Sequence, residues 1–148
     1  MAAVRHAEVV WNGDLASGSG MIAYVSSGAV TRLPLSWASR TEAHEGRTSP
    51  EELLAAAHAA CFSMALSAGL GRAGTPPTRL DVKAVVTFDK TDAGWKVVSS
   101  ALQVRGVVPG ATVEGFKAAA EAAKDGCPIS GALKGNVALS VEATLVEG

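Results

Sequence analysis

The chain has 148 residues, 48% hydrophobic and 18% charged, which is enough apolar material for a single domain spanning 1–148. Its 13 Lys and Arg balance 14 Asp and Glu, so the clustered positive charge that nucleic acid demands is missing. The N-terminus, Met1 to Glu8, has no apolar run of the secretory kind, and two cysteines in such a chain point to a reducing cytoplasm.

The first third reads as a β-meander. His6–Trp11 is a strand closed by the turn Asn12-Gly13-Asp14. Gly20–Ser26 is a second strand. Ala29–Leu35 is a third, and Pro34 places it at an edge. Ser36–Thr48 is polar and reads as an irregular loop, a usual carrier of sites. A helix then opens with Ser49 as cap, Pro50 at the first helical position and Glu52 three residues after the cap. It runs to about Leu70 and ends among Gly69, Gly71 and Gly74. Leu53, Ala57, Ala60, Cys61, Met64 and Leu66 make it apolar over most of its circumference, so it reads as central. Its Glu51, Glu52, His58 and Ser63 argue against a membrane span. Thr78–Phe88 alternates as a strand and Trp95–Val107 is its hairpin partner. Thr112–Lys124 is a second helix, capped by Thr112 and closed by Gly126. Asn136–Val146 is a last strand. The order βββ-α-ββ-α-β defines an α+β class with largely antiparallel pairing. The mean hydropathy of +0.24 is high for a small monomer and is compatible with apolar surface hidden between subunits.

Cys61 lies inside the central helix and Cys127 in the breaker Asp125-Gly126-Cys127-Pro128. A thiol on a rigid helix and a second on a bendable loop suit a two-step redox cycle, in which one attacks and the other resolves the oxidised sulfur. Two unrelated buried cysteines are the alternative. A zinc site needs three or four ligands, and beyond His58 and Cys61 only His6, His44 and Cys127 remain, with no paired spacing; we expect no metal and no cofactor.

Four blocks carry a resemblance. Thr48–Ser67, with Pro50-Glu51 and Ala59-Ala60-Cys61-Phe62, resembles the central helix of the OsmC/Ohr family of thiol-dependent peroxidases. Trp11–Gly20, Phe88–Trp95 and Gly126–Ser130 resemble the first hairpin, the middle hairpin and the resolving-cysteine segment of its OsmC branch. The resemblance covers nearly the whole chain in order. It implies an intertwined homodimer, with antiparallel sheets wrapped around two central helices and two sites at the interface. It implies reduction of organic hydroperoxides, and of hydrogen peroxide, without metal, haem or flavin. Cys61 would be the peroxidatic thiol and Cys127 the resolving one, joined in a Cys61–Cys127 disulfide. A small dithiol or dihydrolipoyl-type reductant would open that disulfide, with thioredoxin as an alternative.

A mid-helix thiol gains little from its helix N-terminus, so Cys61 needs a cation to favour its thiolate. The matching family position is Arg40; Arg47 is closer in sequence and stays open beside it. Glu51 matches the glutamate that holds the arginine, although a carboxylate in a first helical turn is also explained by the helix dipole. Ten helical residues between Glu51 and Cys61 span about 15 Å, so a Glu51 that takes part is expected from the partner chain. Trp37, Phe62 and Met64, with Leu66 and Phe116, would line an apolar substrate pocket, and core filling explains them equally well. A non-enzymatic stress-related binding module on the same fold is the competing function. A protein-directed thiol oxidoreductase would carry a Cys-x-x-Cys motif, which is absent.

Overall fold

The computed structural model describes residues 1–148. The chain is α+β, with two three-stranded sheets and four helices in two compact units, Met1–Leu53 and Leu54–Gly148.

In the first unit β1 (Ala7–Asn12), β2 (Ser19–Val25) and β3 (Thr31–Leu35) form an antiparallel meander in that order. Gly13 turns the chain with φ 88°, a conformation glycine adopts without penalty. Pro34 sits on the edge strand, as its missing N–H requires. The segment after β3 departs from the irregular loop expected of it. Trp37–Thr41 is a short helix, α1, closed by a reciprocal cap in which Ser36 and Ser39 each bond the other's backbone N–H. Ser39 does here what Glu or Gln does in the usual capping box.

Helix α2 (Pro50–Arg72) begins where Ser49, Pro50 and Glu52 place it and runs two residues past the expected end. The Ser49 hydroxyl accepts from the Glu52 N–H at 3.2 Å. By length and composition α2 is apolar enough to cross a membrane, as the central helix of a soluble protein also is. Its buried stripe is His58, Phe62, Leu66 and Leu70. Leu53, Ala56, Ala57, Ala60, Met64 and Ala68 recur at helical spacing and are exposed, Met64 at 72%.

In the second unit β4 (Arg79–Thr91) and β5 (Gly94–Val107) form a long antiparallel hairpin. Phe88 stacks on Trp95 across it, with centroids 5.0 Å apart. Helix α3 (Val113–Gly126) is capped by Thr112, whose hydroxyl accepts from the Gly115 N–H at 3.0 Å. The break after Cys127 is itself a short helix, α4 (Pro128–Leu133), a second element beyond the expected set. Pro128 suits its first position. Strand β6 (Ala138–Leu145) then pairs with β5 in parallel, the one strand pair that departs from antiparallel pairing. The α3–α4 segment is the crossover that a parallel pair requires.

Phe62, Leu66, Leu70, Leu102, Val104, Val108, Phe116, Ala120, Ala123 and Cys127 form one buried cluster in this unit. Gly106 of β5 lies directly beneath the Phe116 ring, so a Cβ there would overlap ring atoms. Gly106→Ala is expected to cost about 1–3 kcal/mol, because an overpacked core must shift. A urea titration checks it, and an unchanged midpoint would show that Phe116 gives way freely.

Candidate functional site

Two groups of side chains carry chemistry. In the first unit the Arg40 guanidinium, from the last turn of α1, grips Glu51 in the first turn of α2. Nη2 donates to Oε1 at 2.7 Å, and Nε reaches both carboxylate oxygens at 3.2 Å. This fork fixes the orientation of Arg40 as well as its charge. The guanidinium also lies over the Trp37 ring, 5.5 Å from its centroid. Glu51 is 8% exposed, so a partnered cation is what makes its burial tolerable. Arg47 lies exposed in the turn before α2, where its N–H bonds the His44 carbonyl. Of the two candidate arginines, Arg40 is the one seated on a buried carboxylate.

In the second unit Cys61 of α2 and Cys127 of the α3–α4 junction are both reduced, pack on the same core cluster and influence each other's titration. Sixty-six residues apart in sequence, they meet because α2 and the junction belong to the same core cluster. Their environments differ. Cys61 is half-buried and its thiol is pushed up, first by burial and then by the hydrogen bond it donates to Cys127; the Ile129 N–H opposes this. Cys127 is 1% exposed. Burial raises it too, but the Cys61 thiol, the Ser130 N–H and hydroxyl and the Ile129 N–H together outweigh burial and bring it below the ordinary thiol range. No side-chain hydrogen bond from Cys127 caps α4.

His58, one turn before Cys61, is fully buried. Nδ1 is 2.6 Å from Ser100 Oγ on β5, and Nε2 is 2.8 Å from Ser130 Oγ on α4. Burial holds the ring below the ordinary histidine range, so it is neutral. With both nitrogens committed to hydroxyls, His58 has no lone pair turned to a metal. No group of three or more His, Cys, Asp or Glu is gathered anywhere in the chain. Of the pocket candidates, Phe62 is at the centre of the core, Met64 is exposed on α2, and Trp37 lies under Arg40. Ser100 and Ser130 were not legible as site residues. They stand 42 and 72 residues from His58, and no local spacing signals either.

An α+β chain that brings two reduced cysteines to one core cluster defines a dithiol protein. Residues 43–142 match the family model described as OsmC-like protein. Peroxiredoxin OsmC of Escherichia coli strain K12 is 43% identical over 132 residues, which cover 89% of this chain and 91% of that protein. Organic hydroperoxide resistance protein OhrA of Bacillus subtilis strain 168 is 34% identical over 105 residues, covering 70% of this chain and 72% of its own length. Among solved structures, the organic hydroperoxide resistance protein OhrB of Bacillus subtilis superposes with a TM-score of 0.73 at 26% identity, covering 94% of this chain and 98% of that one. The chain belongs to the OsmC-like protein family and has the OsmC/Ohr fold.

Proposed function

We propose that this chain is a cysteine-based peroxidase that reduces organic hydroperoxides, and hydrogen peroxide with them, in a reducing cytoplasm. The observation that carries the reading is that Cys61 and Cys127, far apart in sequence, meet at one core cluster as free thiols. The relatives named for peroxiredoxin activity and hydroperoxide resistance support it.

The Cys61 thiolate attacks the distal peroxide oxygen. The O–O bond breaks, an alkoxide leaves and takes a proton as the alcohol, and Cys61 becomes a sulfenic acid. The Cys127 thiolate then attacks the Cys61 sulfur. The S–S bond forms, the S–O bond breaks, and hydroxide leaves as water after protonation. A small dithiol, dihydrolipoyl-type or thioredoxin-like, reduces the disulfide and is itself oxidised. Of the two sulfurs, half-buried Cys61 is the more accessible and Cys127 the better leaving group, so attack of the reductant at Cys61 is favoured. Arg40, held by Glu51, is the cation that favours the Cys61 thiolate and orients the peroxide.

The two units act as one OsmC-like domain, and two copies form a homodimer. The exposed apolar stripe of α2 and the exposed Val9, Val10 and Trp11 of β1 support this, since a stable monomer would leave them in water. Across the two-fold axis, the Arg40–Glu51 pair of one protomer serves Cys61 of its partner.

A thiol count tests the cycle. One equivalent of an organic hydroperoxide is expected to remove two thiols per chain, restored by a dithiol, with an intrachain Cys61–Cys127 bond found by mass spectrometry. Retention of both thiols would leave the binding-module reading in its place.

A further inference from the structure

We propose that His58 is a pH-sensitive latch for helix α4: as a neutral ring it ties α4 to the core, and when it takes a proton α4 opens and lets the charge reach water. The latch belongs to the fold of the second unit and stands whether or not the thiols turn over peroxide.

Three buried side chains on three elements make the latch. His58 of α2 and Ser100 of β5 are fully buried, and Ser130 of α4 is 1% exposed. The ring nitrogens lie 2.6 Å from the Ser100 hydroxyl and 2.8 Å from the Ser130 hydroxyl. A neutral imidazole offers one donor and one acceptor, and a hydroxyl takes either role, so both bonds form without charge. Helix α4 has six residues, and Ser130 is the one that is buried. A helix that short does not hold itself in water. Its anchors are the bond to His58 and the half-buried Ile129 and Leu133.

An imidazolium in the same place would keep both bonds, since hydroxyls accept, but it would put a charge in the core with no carboxylate to meet it. Within a turn of His58 on α2 the one titratable side chain is Cys61, and α4 carries none. On β5, Ser100 is flanked by Val86 of β4 and Leu139 of β6, and the nearest charges along the strand are Lys96 and Arg105. From the α3 side come Cys127, Lys124 and Asp125. The last two line a cavity of about 200 Å³ with Ser130 and Lys134, and Lys124 is paired with Glu121 at 2.9 Å and Asp125 at 3.7 Å. Burial therefore holds the ring below the ordinary histidine range. Opening relieves the charge, and the two elements clasped by the ring differ in what opening costs. Strand β5 is central in its sheet and bonded on both edges, whereas α4 is a short helix beside that cavity, so α4 gives way. The open form takes the proton near the ordinary histidine value of about 6.5 and the closed form only at lower pH. Above that value α4 is held; below it the opening equilibrium rises by up to about tenfold per pH unit.

Hydrogen exchange of the reduced protein, without peroxide, tests the latch. The amides to follow are Gly131 and Lys134, which bond the Cys127 and Ser130 carbonyls. Between about pH 7.5 and about pH 5.5, with rates corrected for the intrinsic effect of pH, their protection is expected to fall about tenfold while that of β5 changes little. His58→Gln, which can bond a hydroxyl but takes no proton, is expected to protect α4 equally at both values. In the parent protein the ring-carbon NMR shifts of His58 are expected to move only as α4 loses protection. A His58 ring that protonates with α4 still closed, or α4 protection that is the same at both values, would overturn the proposal, and both are read in the parent even if His58→Gln does not fold. A pH response that persists in His58→Gln, or one in which β5 opens as far as α4, would overturn it as well.

Discussion

Cys61→Ser is expected to abolish peroxide turnover, whereas Cys127→Ser should complete one round and then stop. The asymmetry follows from the chemistry. Without Cys61 no sulfur remains at the helix position where peroxide is attacked, and an unactivated serine hydroxyl is too weak a nucleophile at neutral pH to replace it. Without Cys127 the first attack still proceeds, but the sulfenic acid has no thiol beside it to condense with. It is then open to a second peroxide and advances to the sulfinic acid. Stopped-flow alcohol release should show a single-turnover burst in Cys127→Ser and none in Cys61→Ser. Mass spectrometry of Cys127→Ser after excess peroxide should show two added oxygens on Cys61. Equal turnover in both variants and the parent would sink the mechanism.

The two thiols also set each other's titration, and the sign can be worked out. Cys61 donates to Cys127, and that bond holds the proton on Cys61 while favouring the thiolate of Cys127. Removing the acceptor, as in Cys127→Ala, should therefore move the Cys61 titration to lower pH. Removing the donor, as in Cys61→Ala, should move the Cys127 titration to higher pH. Reactive cysteines earn their nucleophilicity from such neighbours. The pH dependence of iodoacetamide labelling of Cys61 checks the first shift, and a Cys61 profile unchanged in Cys127→Ala would show that the pair is not coupled.

The long elements were legible because their signals are local. Ser49, Pro50 and Glu52 mark the start of α2 within four residues, and alternation from Leu80 to Phe88 marks β4. The short helices were not. Trp37–Thr41 is capped by a second serine in place of a glutamate, and Pro128–Leu133 follows a Gly-Cys-Pro that reads as a breaker. The parallel register of β6 on β5 depends on where the α3–α4 crossover delivers the chain, which no residue of β6 encodes. The site divides the same way. Cys61 and Cys127 stood out as residue types, and Arg40 and Glu51 came from family resemblance; only coordinates show that Arg40 and Glu51 form a fork. His58 read in sequence only as a candidate metal ligand, because its partners Ser100 and Ser130 are distant in sequence and common residue types.

Two inactive variants are expected to rescue each other if the site is shared between protomers. Arg40→Ala should lower the rate of sulfenic acid formation about ten- to thousand-fold, the range in thiolate population that a nearby cation controls. Glu51→Gln should lower it less, since the guanidinium keeps its charge and loses its orientation. The rescue follows from position. Glu51 and Cys61 are ten residues apart on one continuous helix, a rise of about 15 Å, so an arginine gripped by Glu51 is poorly placed for Cys61 of its own chain. In a heterodimer of Arg40→Ala and Cys61→Ser chains, the intact Arg40 of one protomer would meet the intact Cys61 of the other, giving one working site of two. Co-refolding equal amounts makes half the dimers mixed, so recovered activity should approach about a quarter of the parent's for a two-fold symmetric dimer. If Arg40 serves its own chain, each mixed dimer carries one site without its arginine and one without its thiol, and the mixture stays at the level of its inactive components.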